Sequence, residues 1–129
     1  MSTDPNPQAL DSLLAFIPLL CVPSFEPVVT WHSEPGTFPW PEYHTDVDAF
    51  AQAIAEQGWL DTDYLDYQPG ILLADPAAIA SATLAQAKAM LTYFVRGERF
   101  ADGHRAALIE NGQLCALLQR LQELRDQTP

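Results

Sequence analysis

Apolar residues recur along most of this chain at spacings of three and four, the signature of helices that bury one face. Leu10, Leu13, Leu14, Ile17 and Cys21 follow that rule behind Asn6 and Pro7, which read as an N-cap and a first helical position. Pro18 lacks the donor that would meet the carbonyl of Leu14, so the helix should kink or stop there, and Pro23 closes the element. Val47, Phe50, Ala51 and Ile54 mark the buried stripe of a second helix. Thr45 is its expected cap, Asp46 and Asp48 suit its first turn, and Gly58 ends it. Leu84, Ala87, Leu91, Phe94 and Val95 define a long helix capped by Ser81 or Thr83, which runs toward Arg99 unless Gly97 stops it. A short helix from Asp102 or Gly103 to Glu110 follows, ended by Asn111-Gly112. A last one carries Leu114, Leu117, Leu118, Leu121 and Leu124.

The helical period fails in two places. Val28 to Trp31 has strand character, Glu34-Pro35-Gly36 suits a type II turn, and Phe38 to Tyr43 reads as the returning strand. Pro39 and Pro41 are two apart, so their missing donors fall on one side, which only an open edge tolerates. Residues 59–75 read as irregular, with Trp59, Tyr64 and Tyr67 among Asp61, Asp63 and Asp66, and a turn at Pro69-Gly70. Asp75-Pro76 then starts a short helical turn. The expected fold is α+β and predominantly α-helical. It has about four to five helices packed on a small antiparallel β-ribbon near residues 25–43, in a single compact domain over 1–129.

Composition narrows the function. With 129 residues and 48% hydrophobic positions the chain can bury a core. The net charge of −11 repels nucleic-acid phosphates, so direct nucleic-acid binding is not expected. The longest apolar run, Leu13 to Val22, is about half of what a membrane span needs. No basic stretch precedes it as in a secretory signal. A cytoplasmic location without membrane contact is the expectation. Cys21 and Cys115 each lie in an apolar helical pattern and read as buried free thiols.

The charge is unevenly laid down. All six bases lie from Lys88 onward, while residues 1–87 hold twelve of the seventeen carboxylates. Arg96 and Arg99 are three apart and flank the apolar face of their helix, able to reach one planar anion, with His104 in the first turn of the next helix. These three are the candidate ligand-binding residues. The alternative is that both arginines bind the helix to the acidic first half and His104 belongs to the core. Trp40 and Tyr43, in Phe38-Pro39-Trp40-Pro41-Glu42-Tyr43, form a candidate protein-binding patch on rigid extended backbone, or else a lid over the helices. His32-Ser33-Glu34 with His44 and Asp46 matches no strong metal-ligand spacing. Asp61-x-Asp63-x-x-Asp66 lacks the glycine and glutamate of a calcium loop. No metal and no cofactor is therefore expected.

Val95, Arg96, Arg99, Phe100, Gly103 and His104, followed by Gly112, Leu114, Leu117, Leu118, Arg120 and Leu121, carry a resemblance. With Leu13 to Pro18 and Phe38 to Trp59, these stretches are similar to a family of small bacterial proteins, the domain of unknown function numbered 6508. Gly97 stands where that pattern suggests a better helix former. The resemblance implies a bacterial origin and no activity.

Three readings follow. The first is a non-catalytic interaction or anionic-ligand-binding domain, its partner an unidentified protein or a small anion. The second is an acidic inhibitor that mimics nucleic acid, using the carboxylates of residues 42–75. The third is a small enzyme with His104 as acid or base, near Glu98, Asp102 or Glu110. Whether the chain is an enzyme, and its oligomeric state, are left open by the residues.

Overall fold

Proline and glycine divide this chain into more helices than its hydrophobic stripes suggest. The computed structural model describes residues 7–127, so the Asn6 cap lies outside the described residues. Within them the α-helices are α1 (Pro7–Leu14), α2 (Ile17–Leu20), α3 (Thr45–Glu56), α4 (Pro69–Leu73), α5 (Pro76–Ala80), α6 (Leu84–Arg96), α7 (His104–Glu110) and α8 (Gln113–Asp126). Strands β1 (Val28–His32) and β2 (Trp40–Tyr43) pair antiparallel, and 3-10 turns occupy Tyr64–Tyr67 and Gly97–Arg99. The fold is thus α+β and mostly helical, with eight helices among the described residues where four to five were expected.

The excess comes from proline acting as a starter. Pro18, expected to kink or end a helix, lies in the first turn of α2, where its missing N–H costs nothing. Pro69 likewise opens α4, inside a stretch expected to be irregular, and Pro76 opens α5 behind Asp75, whose carboxylate accepts from the Ala77 N–H at 3.0 Å. Two caps are also clarified. His44, not Thr45, caps α3, its Nδ1 accepting from the Asp46 N–H at 3.0 Å. Thr83 caps α6 in a reciprocal capping box with Gln86.

Two helices organise the interior. α6 packs against α3, α4, α7 and α8, while α8 also meets α1, α5 and α7. Because α6 is surrounded, its burial exceeds one stripe: Ala87, Ala89, Met90, Leu91, Thr92 and Phe94 are all buried. Phe94 meets Phe50 edge-on at 5.6 Å between ring centres, and Phe50 meets Phe16 at 5.2 Å. Thr92, the buried polar residue of this core, bonds the Lys88 carbonyl at 2.9 Å and accepts from the Asp61 N–H at 3.0 Å. It thereby pins the segment after Trp59 to α6.

One sequence expectation is overturned at the edge of this core. Cys21, just after α2, and Cys115 in α8 form a disulfide rather than two free thiols, with Cα atoms 5.7 Å apart. Helical periodicity placed both on apolar faces, but their approach across 94 residues is a tertiary fact.

The ribbon has the predicted turn. Thr37 N–H donates to the Glu34 carbonyl at 3.1 Å across Pro35 and Gly36, and Gly36 takes a φ of +84° as position three of a type II turn requires. Thr30 faces Glu42, Trp31 faces Pro41 and His32 faces Trp40, with a register shift between Val28 and Thr30. The ribbon lies against the α6–α7 corner, and this contact defines the candidate site.

Candidate functional site

The site begins with a corner in the chain. α6 must end for α7 to turn back, which leaves carbonyls at its last turn without partners. α7 supplies them. His104 Nε2 donates to the Tyr93 carbonyl at 3.0 Å, and Arg105 reaches the Val95 carbonyl at 2.8 Å and that of Phe94 at 3.4 Å. Gly97 makes this approach possible: a Cβ there would lie 2.3 Å from His104 Nε2.

Glu98 does the reciprocal work for α7. The first residue before that helix is Gly103, with a φ of +89° and no side chain to cap it. Glu98 Oε2 accepts from the Gly103 N–H at 2.7 Å and Oε1 from the Arg105 N–H at 3.0 Å. Oε1 also accepts from the Tyr43 hydroxyl at 2.6 Å, and that hydroxyl accepts from the Ala106 N–H at 3.3 Å. One carboxylate therefore joins β2, the end of α6 and the start of α7. The tip of Trp31 covers Gly103 so closely that a Cβ there would lie 2.8 Å from its ring.

These contacts shift two ionisations. Burial, reinforced by the bond to Glu98, holds the Tyr43 hydroxyl far above the usual phenol range. Burial also lowers the pKa of His104, overcoming the opposing influence of the Tyr93 carbonyl and Glu98. A neutral ring that donates through Nε2 is the form this geometry selects.

The sequence-derived candidates separate in space. Arg96 is half-buried with its guanidinium 5.7 Å from the centre of the Tyr64 ring. Arg99 is exposed in the 3-10 turn, beside an almost fully exposed Phe100. His104 points back into the α6 terminus. No hydrogen bond joins these three side chains. Trp40 is exposed and stacked on His32, with ring centres 5.4 Å apart, whereas Tyr43 is 9% exposed and turned inward. Tyr43 thus acts in the ribbon's attachment and leaves the accessible patch to Trp40.

Several of the remaining charges find partners within the chain. Arg125, not Arg96 or Arg99, pairs a late base with an early acid, meeting Asp11 at 2.9 Å. Arg120 donates to the Ala82 carbonyl at 2.9 Å and to Glu123 at 3.1 Å. Arg96 and Arg99 have no carboxylate partner among the described residues. His32 bonds Glu42 at 2.9 Å, and Asp61 accepts from the Asp63 N–H at 2.9 Å. Among the described residues no group of three or more His, Cys, Asp or Glu side chains is placed to share a metal ion. No described helix is long and apolar enough to cross a membrane.

The model of a family described as "Family of unknown function (DUF6508)" matches residues 5–127. The chain belongs to the DUF6508 family. No curated protein and no solved structure matches it. In this DUF6508 chain, sequence reasoning singled out the segment 95–104 and named Glu98 only as a possible neighbour of His104, not as the segment's organiser. Glu98, Gly97 and Arg105 are the residues that build the corner. The available signals were a glycine in a helical run and a carboxylate one position on, but neither indicates which backbone it will meet.

Proposed function

We propose that this DUF6508 protein is a non-catalytic interaction domain whose contact face combines the ribbon with the 97–103 turn. One observation carries the reading. Trp31 rests on Gly103, so the exposed ring of Trp31 (51%) and that of Phe100 (83%) flank one junction, with Arg99 exposed beside Phe100. Phe38 (89%) is a further exposed aromatic of the same hairpin. Exposed aromatics on a rigid support, with a free guanidinium at the rim, are what protein contacts use most. Arg99 is the residue to which an anionic group of the partner would bind, and Arg96 and His104 support the corner around it.

The test is photo-crosslinking in the native host. A crosslinking side chain at position 38 or 100 should yield the same protein adduct, and one at position 56 should not. Absence of adducts at 38 and 100, or an equal yield at 56, would overturn the reading.

A second reading, mimicry of nucleic acid, retains one supporting observation. Glu42, Asp48, Glu56, Asp63 and Asp66 are exposed, and no described arginine pairs with any of them. Mimicry requires that the crosslinked partner bind DNA and that DNA compete for it. The enzyme reading weakens, because the Nε2 of His104 is engaged by a backbone carbonyl. A bacterial origin and a cytoplasmic location belong to the same proposal. The Cys21–Cys115 bridge makes the second demanding, since cytoplasmic reductants keep most thiols free.

A further inference from the structure

The ribbon has two edges, and only one of them is blocked. β2 carries Pro41 with Pro39 just before it, and these remove donors from its outer side. Among the described residues β1 pairs with β2 alone, and its sequence Val28-Val29-Thr30-Trp31-His32 holds no Pro, Lys, Arg, Asp or Glu. Those are the residues that edge strands use to prevent further pairing, and the irregularity between Val28 and Thr30 leaves the regular free edge at Thr30 to His32. Pro41 stands opposite Trp31 and has no N–H, so the two form the non-bonded kind of antiparallel pair. The N–H and carbonyl of Trp31 therefore face the free edge.

A groove of about 390 Å³ runs along that edge, with residues 25–31 on one wall and Glu110 on the other. Two further clefts adjoin it and share Phe25 with it. Val29, which lines the groove, is 59% exposed, close in exposure to Trp31. Charge on the rim has one sign: Glu26 and Glu110 are exposed, and no Lys or Arg lines any of the three clefts.

We infer that the free edge of β1 receives an extended segment of a partner protein, alternating basic and apolar, which joins the ribbon as a third strand. Its backbone meets that of Trp31, its apolar residues cover Phe25 and Val29, and its Lys or Arg side chains meet Glu26 and Glu110. Main-chain bonds supply the affinity in this mode, and alternate side chains supply the choice of partner. A second copy of this chain is the other strand on offer, but it brings the same two carboxylates and its own −11 charge. The inference deepens the interaction reading and rests on it.

The experiment uses the full chain, isotope-labelled and oxidised, titrated with an acetylated and amidated Lys-Val-Lys-Val-Lys-Val peptide. The expected result is amide shifts confined to residues 25–32 and 110, with slowed exchange of the Trp31 N–H. Glu26→Lys and Glu110→Lys, both exposed positions, should each weaken binding at least tenfold. The same peptide N-methylated at alternate amides should not bind. The inference is overturned if the N-methylated peptide or a Glu-Val-Glu-Val-Glu-Val peptide binds equally well. It is also overturned by shifts elsewhere, by no binding, or by shifts at β1 that depend on protein concentration alone, which would mean pairing of two copies. Persistence of the adducts at positions 38 and 100 after such a failure would leave the interaction reading standing.

Discussion

Gly97 and His104 occupy one another's space: a Cβ on Gly97 would fall 2.3 Å from His104 Nε2 and 2.4 Å from Cδ2. The backbone of Gly97, with a φ of −61°, would suit alanine well. Replacing this glycine would then stabilise the chain by about 0.4–1 kcal/mol if the backbone alone mattered. Overpacking against the imidazole costs about 1–3 kcal/mol and should win. Gly97→Ala is expected to be destabilising in urea denaturation. The double variant Gly97→Ala/His104→Ala should be more stable than the sum of the single losses, with coupling of about 0.5–3 kcal/mol. Strict additivity would sink this account of the glycine.

Glu98 collects three donors from two different elements and the Gly103 backbone. Glu98→Ala would strand the Tyr43 hydroxyl and two amides in a half-buried corner. A loss of about 2–4 kcal/mol is expected, given the usual cost of unmet hydrogen bonds to a charged group. Tyr43→Phe should lose less, and a Tyr43→Phe/Glu98→Ala cycle should show the two acting together. Chemical denaturation reads both.

Stability should respond to pH at two ends. The pKa of His104 in the fold lies below its ordinary 6.5, so the unfolded chain binds more protons just below that pH. The contribution of neutral His104 is present above about pH 6.5 and declines as pH falls toward the lowered pKa. His104→Gln should flatten that slope. Tyr43 has the opposite sign: its pKa is raised, so its contribution is whole below about pH 10 and declines above it. Thermal melts across pH 5–11 on wild type, His104→Gln and Tyr43→Phe would show whether each slope belongs to its residue.

The disulfide joins Cys21 to Cys115 across 94 positions. Its removal by Cys115→Ala should cost about 2–5 kcal/mol, and reductant should lower the melting temperature of the wild type alone. Alkylation of thiols in acid-quenched host cells gives the second readout. Free thiols there would favour the proposed cytoplasmic location, and a blocked pair would place the protein in an oxidising compartment.

Arg99→Ala should change stability by no more than about 0.5 kcal/mol, because the side chain is exposed and pairs with no carboxylate among the described residues. It should nonetheless reduce the adduct formed at position 100. Arg125→Ala breaks a surface pair with Asp11 and should cost about 0–1 kcal/mol with no effect on that adduct.

Local chemistry made much of this protein legible. The stripe Val47, Phe50, Ala51 and Ile54 and the Pro35-Gly36 turn depend on residues within one or two turns of each other, so the sequence determines them directly, whereas it leaves the cap of α6 to Ser81 or Thr83 and the structure selects Thr83. The sequence makes Pro18 a helix stop and Pro69 part of a turn, because one proline can end a helix or open the next, and only the packing of the segment behind it chooses. The candidate site was legible as a segment, 95–104, but not as a geometry. Whether Arg96 meets a carboxylate or the Tyr64 ring depends on a residue 32 positions away. The inward turn of Tyr43 depends on Glu98, 55 positions on.

The amino-acid order alone thus determined the helical class, the hairpin and its blocked β2 edge, since period, turn chemistry and missing donors act between near neighbours. Tertiary structure decided the rest. It brought Cys21 to Cys115, seated His104 under Gly97 and left β1 open, because each outcome depends on which distant segment packs against that residue.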